Sequence, residues 1–179
     1  NKNYLYGLLL YGFIAGFTSP VSAEIRQCDK EFISSDDSHI VYMGRISRSI
    51  PHIVRFTYPE VSILANFEGT SLQMKAKPGS GAFMVEVDDE LPYRINFAEN
   101  DSIQTLAEGL PEGTHRVRIM YAIEGYELKP AFKGFYLDKG CRLAEAPVLP
   151  ERRIEFIGNS ITCGYGVESE NPSDPFTYE

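Results

Sequence analysis

The stretch at residues 71–77 alternates strictly between polar and apolar side chains and reads Ser71-Leu72-Gln73-Met74-Lys75-Ala76-Lys77. Successive side chains of a β-strand point to opposite faces, so this pattern predicts a strand with one face on a core and the other in water. Similar or shorter apolar segments occur on both sides, at residues 40–46, 53–58, 61–67, 83–87, 93–97, 103–107, 117–123 and 132–137.

Turn-forming residues separate these segments. The clearest turns are Glu68-Gly69-Thr70, Pro111-Glu112-Gly113 and the Gly- and Pro-rich residues 77–81. About nine short strands spaced by such turns are typical of a sandwich or a barrel. We therefore predict a mainly β fold, with an antiparallel jelly-roll β-sandwich over residues 24–145.

Two prolines interrupt the β pattern after this region, at Pro147 and Pro150. Proline stiffens an extended chain, so residues 146–152 are predicted to be a linker. Residues 153–179 are too few to bury a core of their own. We interpret them as the start of a second domain, and the sequence as a truncated piece of a longer protein.

The chain after the linker contains a candidate nucleophile, Ser160, in the run Ile154-Glu155-Phe156-Ile157-Gly158-Asn159-Ser160-Ile161-Thr162-Cys163-Gly164-Tyr165-Gly166. The apolar residues at its start predict a short buried strand, which Gly158 ends. A serine here lies at the carboxyl end of a strand, where α/β sheets place their chemistry and where backbone N–H groups can stabilise an oxyanion. An ordinary turn is the alternative, and Thr162 stands where the Gly-x-Ser-x-Gly pattern requires glycine.

This run resembles the first conserved block of the SGNH (GDSL-like) hydrolases, most closely that of carbohydrate esterase family 2. Two further segments look like signatures of that family's N-terminal jelly roll, Tyr42-Met43-Gly44-Arg45 and Phe67-Glu68-Gly69-Thr70-Ser71-Leu72. The resemblance implies a jelly roll followed by the first strand and nucleophile turn of a truncated α/β hydrolase domain.

The resemblance also implies roles for individual residues. Ser160 is the expected nucleophile, its backbone N–H belongs to the oxyanion hole, and Gly158 and Asn159 support the turn. The family usually has Asp at the position of Asn159, so the hydrogen bonds that brace the turn are expected in altered form. Tyr165 is expected either to touch the substrate or to pack.

The resemblance places the catalytic histidine and the remaining oxyanion residues beyond Glu179. None of the three histidines here is therefore assigned as the base, and each is expected at a strand edge or on the surface: His39, His52 and His115.

The first 23 residues have the pattern of a secretory signal. Lys2 precedes an uncharged apolar run, and small residues up to Ala23 suit a signal-peptidase site. An uncleaved membrane anchor is the alternative, although the run is short for a span of about 20 residues. The expected location is secreted or periplasmic, without stable membrane association after cleavage.

Cys28 and Cys141 bracket the predicted sandwich. Outside the cytosol such a pair often forms a disulfide, and two separate buried thiols are the equal alternative. Cys163 is expected to pack as a small apolar residue.

The formal net charge of −8, without a basic cluster, makes nucleic acid an unexpected partner. Acidic pairs in the loops lack the spacing of a Ca²⁺ site, and no Cys/His set suits Zn²⁺. We predict neither a metal nor another cofactor.

Two functions remain from different classes. The first is an exported serine esterase that removes O-acetyl groups from xylan or glucomannan through an acetyl-Ser160 intermediate, with the present chain inactive alone. The second is a non-catalytic carbohydrate-binding β-sandwich module, which requires exposed aromatic residues on a sheet face.

Overall fold

The computed structural model describes residues 30–152, 154, 156–162 and 171. Its regular structure in these residues consists of strands alone: β1 (Lys30–Ser34), β2 (Val41–Met43), β3 (Ser47–Ile50), β4 (Ile53–Arg55), β5 (Ser62–Glu68), β6 (Leu72–Ala76), β7 (Gly81–Val87), β8 (Tyr93–Phe97), β9 (Ile103–Ala107), β10 (Thr114–Tyr121) and β11 (Ala131–Asp138). In this part of the chain no helix has the length and apolarity needed to cross a membrane.

The strands form two antiparallel sheets. The first has the order β3-β4-β11-β6-β9, with β1 also paired to β11, and the second has the order β2-β5-β10-β7-β8. Strands that are distant in the sequence are neighbours in the sheets: β5 pairs with β10, and β6 pairs with β11. Such pairing is typical of a jelly roll rather than of a meander. The predicted mainly β fold is confirmed.

Aromatic side chains from both sheets fill the space between them. Phe56, which follows β4 of the first sheet, packs edge-on against Phe83 and Tyr121 of the second, with ring centroids 6.1 and 5.2 Å apart. All three are buried. Each such side chain contributes about 1.5–3 kcal/mol by its removal from water, so this cluster is a main source of inter-sheet stability.

Strands β1 and β3 are absent from the sequence prediction. Ser47–Ile50 is exposed at every position, and Lys30–Ser34 has no clean alternation. These strands are defined by their neighbours, since β1 pairs with β11 and β3 pairs with β4. Pairing with distant segments thus overrides a weak local pattern.

Gly134 marks an irregularity in β11, where the register with β6 shifts between Phe132 and Gly134. Its φ of 141° is rarely adopted by residues with a side chain. A Cβ atom here would also collide with the backbone oxygen of Ile33 in β1. The close approach of β1 to β11 therefore requires glycine.

A polar network lies where the start of β1 pairs with the end of β11. The Lys30 Nζ lies 2.6 Å from Asp138 Oδ1, and Lys30 also contacts the Ser71 hydroxyl. Ser71 and Thr70 donate hydrogen bonds to the same carboxylate, at 2.7 and 3.1 Å. Partial burial raises the pKa of Asp138, but the hydrogen bonds from Lys30, Ser71 and Thr70 outweigh it and lower that pKa to about 2.

We predict that Asp138→Asn destabilises the chain by about 2 kcal/mol at pH 7, because the folded-state pKa of Asp138 lies below its unfolded value. This contribution is complete above the unfolded pKa of about 4 and disappears as the pH falls through about 2. Urea unfolding of the wild type and the variant at pH 7, 4 and 2.5 measures it. A stability difference that does not change between pH 7 and pH 2.5 would contradict the assignment.

Candidate active site

The connection toward Ser160 starts on the second sheet. Leu143 forms an isolated β-bridge with Phe67, and the Ala144 N–H donates to the Asn66 carbonyl at 2.8 Å. The Asn66 side-chain amide in turn donates to the carbonyl of Glu145 at 2.8 Å. The chain is thus held to β5 up to Glu145; the predicted division into a sandwich, a linker and a second domain stays a prediction.

The segment around Ser160 lies in solvent. Ile154, Phe156 and Ile157 are 80%, 80% and 89% exposed and belong to no strand. The buried strand expected at these residues is therefore not formed in the described part of the segment. A strand needs a neighbour for its hydrogen bonds and a layer to cover its apolar face, and none of the described strands pairs with these residues.

The residues that follow form a turn. The Ile161 N–H donates to the Asn159 side-chain carbonyl at 3.1 Å. This is the local hydrogen bond by which Asn and Asp stabilise turns, and the amide supplies the same acceptor that a carboxylate would. Ser160 lies within the turn and is exposed. Its role as nucleophile stays a prediction, as does the bracing role of Asn159.

Gly158 lies just before this turn, at a position that has no room for a side chain. A Cβ atom at this position would collide with the Thr162 hydroxyl oxygen and lie 2.5 Å from the Thr162 Cβ. The tight approach of these two residues gives Gly158 a physical reason to be glycine.

Tyr165, Cys28 and Cys163 lie outside the described residues. Cys141 is half-buried and lies three residues after the end of β11. The Cys28–Cys141 disulfide and its alternative therefore both stay predictions.

His39 and His52 lie on the surface, as predicted, and each binds a neighbouring carboxylate. The His39 Nδ1 lies 2.8 Å from Asp37 Oδ1, and the His52 Nδ1 lies 2.8 Å from Asp36 Oδ2. None of the three histidines, all of which are described, forms a hydrogen bond to Ser160.

Ser34, His52 and Asp36 resemble a Ser-His-Asp set in composition, but not in geometry. The Ser34 hydroxyl lies 3.3 Å from His52 Nδ1, the same nitrogen that contacts Asp36. Hydrogen bonds from Ser34 and then His52 lower the pKa of Asp36. A catalytic relay needs the serine and the carboxylate on different ring nitrogens, so this set does not activate Ser34.

The prediction for His115 is wrong. It lies in β10, at the centre of the second sheet, with a side chain only 10% exposed. Its Nδ1 and Nε2 lie 2.8 Å from the Asp88 carboxylate and the Pro111 carbonyl, two acceptors that satisfy the buried ring. Hydrogen bonding to Asp88 and then to Pro111 raises the pKa of His115, and both ring nitrogens are engaged, so the imidazole is not available as a catalytic base.

Sequence reasoning also missed a cleft between the end of β4, the start of β3 and the β10–β11 loop. It has a volume of about 600 Å³, and we call it the Arg45 cleft. Its lining is Arg45, Ile46, Ser47, Arg55, Phe56, Thr57, Tyr58, Tyr126 and Lys129. The available signal was the position of Tyr58 at the end of a predicted segment and of Tyr126 between two such segments.

Within the described residues, no three His, Cys, Asp or Glu side chains converge to hold a metal ion. The three histidines instead bind nearby carboxylates or a backbone carbonyl.

A family model described as "Carbohydrate esterase 2 N-terminal" matches residues 42–147, more than half of the chain. The chain belongs to carbohydrate esterase family 2. The matched range runs from β2 to beyond β11 and contains both jelly-roll signatures, at 42–45 and 67–72. The family resemblance noted from the sequence is therefore confirmed.

Two relatives are esterases by name. The cellulase/esterase CelE of Acetivibrio thermocellus is 32% identical over 151 residues, which are 83% of this chain and 18% of that protein. An acetylxylan esterase/glucomannan deacetylase of Cellvibrio japonicus is 30% identical over 138 residues, which are 76% of this chain and 38% of that protein.

Solved structures of family 2 carbohydrate esterases share the fold. One from Cellvibrio japonicus has a TM-score of 0.71 and 27% identity, covering 83% of this chain and 45% of that one. Another, from Clostridium thermocellum in complex with cellohexaose, has a TM-score of 0.65 and 34% identity, covering 78% and 43%. The chain thus spans less than half the length of each of these four proteins.

Proposed function

We propose that this chain is part of an exported serine esterase that removes O-acetyl groups from plant cell-wall polysaccharides such as xylan and glucomannan. The name of the Cellvibrio japonicus relative supports the substrate class, and the N-terminal signal pattern supports export. The observation that carries the proposal is the exposed turn that contains Ser160. This turn follows a sandwich that matches the family model, and its sequence resembles the first conserved block of the family's hydrolase domain.

In the proposed reaction, the Ser160 Oγ attacks the acetyl carbonyl carbon while a base removes the hydroxyl proton. The tetrahedral oxyanion accepts hydrogen bonds from backbone N–H groups, including that of Ser160. Its collapse breaks the bond to the sugar oxygen, which leaves with a proton and generates acetyl-Ser160. Water then attacks the acetyl group, acetate is released, and the serine regains its proton.

The residues around Ser160 have supporting roles in this proposal. Gly158 allows the close approach to Thr162, and the Asn159 side-chain carbonyl accepts a hydrogen bond from the Ile161 N–H; both contacts fix the turn. The base is a histidine outside residues 1–179, because the three histidines of the chain have other partners. Residues 1–179 alone are therefore expected to be inactive.

We predict that Ser160→Ala lowers the kcat of the full-length protein on a chromogenic acetyl ester at least about 10⁴-fold, since the nucleophile is removed. Ser102→Ala, a serine in the β8–β9 loop, is the matched control and is expected to leave kcat within about twofold. Circular dichroism checks that both variants fold. A Ser160→Ala enzyme with the wild-type rate excludes Ser160 as the nucleophile.

A row of outward-facing side chains favours the carbohydrate-binding module as a second candidate. Phe32, Tyr136, Gln73 and Thr105 are direct cross-strand partners on β1, β11, β6 and β9. The two rings lie 5.0 Å apart, Phe32 is 43% exposed, and the Gln73 amide donates to Thr105 at 3.3 Å. Four adjacent strands place this row over about 14 Å, and it offers rings for stacking and amide and hydroxyl groups for hydrogen bonds.

If this face holds neutral polysaccharide, Phe32→Ala is expected to reduce the retardation of residues 1–179 in a xylan-containing native gel, with an apparent affinity loss of about fivefold or more. Leu91→Ala, an exposed apolar change in the β7–β8 loop and outside both candidate surfaces, is the control and should migrate like the wild type. Equal migration of wild-type chain in gels with and without xylan would exclude the module function on this polymer.

A further inference from the structure

The Arg45 cleft concentrates positive charge in an acidic protein. The chain has a formal net charge of −8, yet the lining of the cleft contains Arg45, Arg55 and Lys129 and no acidic residue. Among the described residues, none of these three side chains forms an ion pair. Cations without a carboxylate partner, gathered in a concave site, are arranged to receive an anion.

The strand register brings parts of the cleft together. Ser47 of β3 is the direct partner of Arg55 in β4, and Arg55 is the partner of Ala131 in β11. Lys129 precedes Ala131 by two residues, so these side chains start from neighbouring backbone positions. The Arg45 guanidinium lies 5.9 Å from the centre of the Tyr58 ring.

The loop that closes the cleft is held in place by backbone hydrogen bonds. The Gly125 N–H donates to the Thr57 carbonyl at 2.8 Å, and the Lys129 N–H donates to the Gly125 carbonyl at 2.8 Å. The Lys77 ammonium also donates to the carbonyl of Leu128. Tyr126 and Lys129 therefore sit on an ordered loop, which lowers the entropic cost of binding.

The cleft also offers two aromatic surfaces to its ligand. Tyr58 and Tyr126 are 54% and 76% exposed although both line the cavity. Exposed tyrosine rings present an apolar face to the C–H groups of a sugar and a hydroxyl to its polar edge. The volume of about 600 Å³ lies within the range of small-molecule sites and exceeds what a bare ion requires.

We propose that the Arg45 cleft binds a uronic acid unit of a polysaccharide, with the sugar carboxylate on the three cations and the sugar ring against the tyrosines. Guanidinium groups match carboxylates by paired N–H donors, and Ser47 and Thr57 add hydroxyl groups for the ring oxygens. The net negative charge of the chain disfavours densely charged polymers such as nucleic acid and leaves an isolated carboxylate as the better fit. The site is independent of Ser160, so its test does not depend on esterase activity.

The test is isothermal titration calorimetry of residues 1–179 with two oligosaccharides of equal length, a xylo-oligosaccharide that carries one glucuronic acid unit and its neutral counterpart. The acidic oligosaccharide is expected to bind at least about tenfold more tightly, with an affinity that decreases as NaCl is added. Arg55→Gln and Lys129→Gln are each expected to weaken binding about tenfold, because each removes a charge-assisted hydrogen bond.

Arg118→Gln is the matched control, since Arg118 is exposed on β10 of the second sheet and is the cross-strand partner of Glu86 in β7. Its affinity for the acidic oligosaccharide is expected to equal that of the wild type. Tyr126→Ala, in contrast, is expected to weaken the binding of both oligosaccharides. Inorganic phosphate is titrated in parallel and is expected to bind more weakly than the acidic oligosaccharide. Equal affinity for the two oligosaccharides, no binding of the acidic one, wild-type affinity in Arg55→Gln and Lys129→Gln, or tighter binding of phosphate would each overturn the proposal.

Discussion

The close approach of β1 to β11 at Gly134 is the constraint on which much of the first sheet depends. Strand β11 has three partners, and a side chain at Gly134 would occupy the place of the Ile33 carbonyl. The same pairing sets Lys30 opposite Asp138 and Phe32 opposite Tyr136. One glycine thus determines both the polar network that stabilises the sheet end and the aromatic row on its outer face.

The two candidate binding surfaces and the serine turn have different physical characters. The row from Phe32 to Thr105 lies on a sheet face, with the Lys75 ammonium 5.1 Å from the centre of the Phe32 ring, whereas the Arg45 cleft is concave and lined by three cations. Ser160 lies in an exposed turn next to side chains that the described strands leave uncovered. A sandwich that recognises polysaccharide and a separate segment that cleaves its esters would divide binding from chemistry.

The sequence predicted those features that depend on local pattern. Strict alternation over residues 71–77 located β6. The block that resembles the family's first motif located the turn at Ser160, in which the Asn159 side chain accepts a hydrogen bond. Features that depend on distant partners were missed. The buried His115 ring binds the Asp88 carboxylate, which lies 27 residues earlier in the chain, and nothing in the local sequence around His115 reveals that partner.

The Arg45 cleft illustrates the same limit. Its cations come from the segment after β2, from β4 and from the β10–β11 loop, and strand pairing together with loop hydrogen bonds brings them together. The strand expected at Ile154–Ile157 shows the opposite case, in which a strong local pattern is not sufficient. Apolar residues form a strand only where another strand and a covering layer accept them.

The central functional claim is that the Ser160 oxygen becomes acetylated during turnover. Its most direct test is acid quenching of the full-length protein during reaction with an acetylated oligosaccharide, followed by peptide mass spectrometry. The account predicts the mass of one added acetyl group on the peptide containing Ser160, and none on that peptide from Ser160→Ala. Turnover with the acetyl group on another residue, or with no acetylated peptide under conditions where deacetylation is rate-limiting, would contradict it.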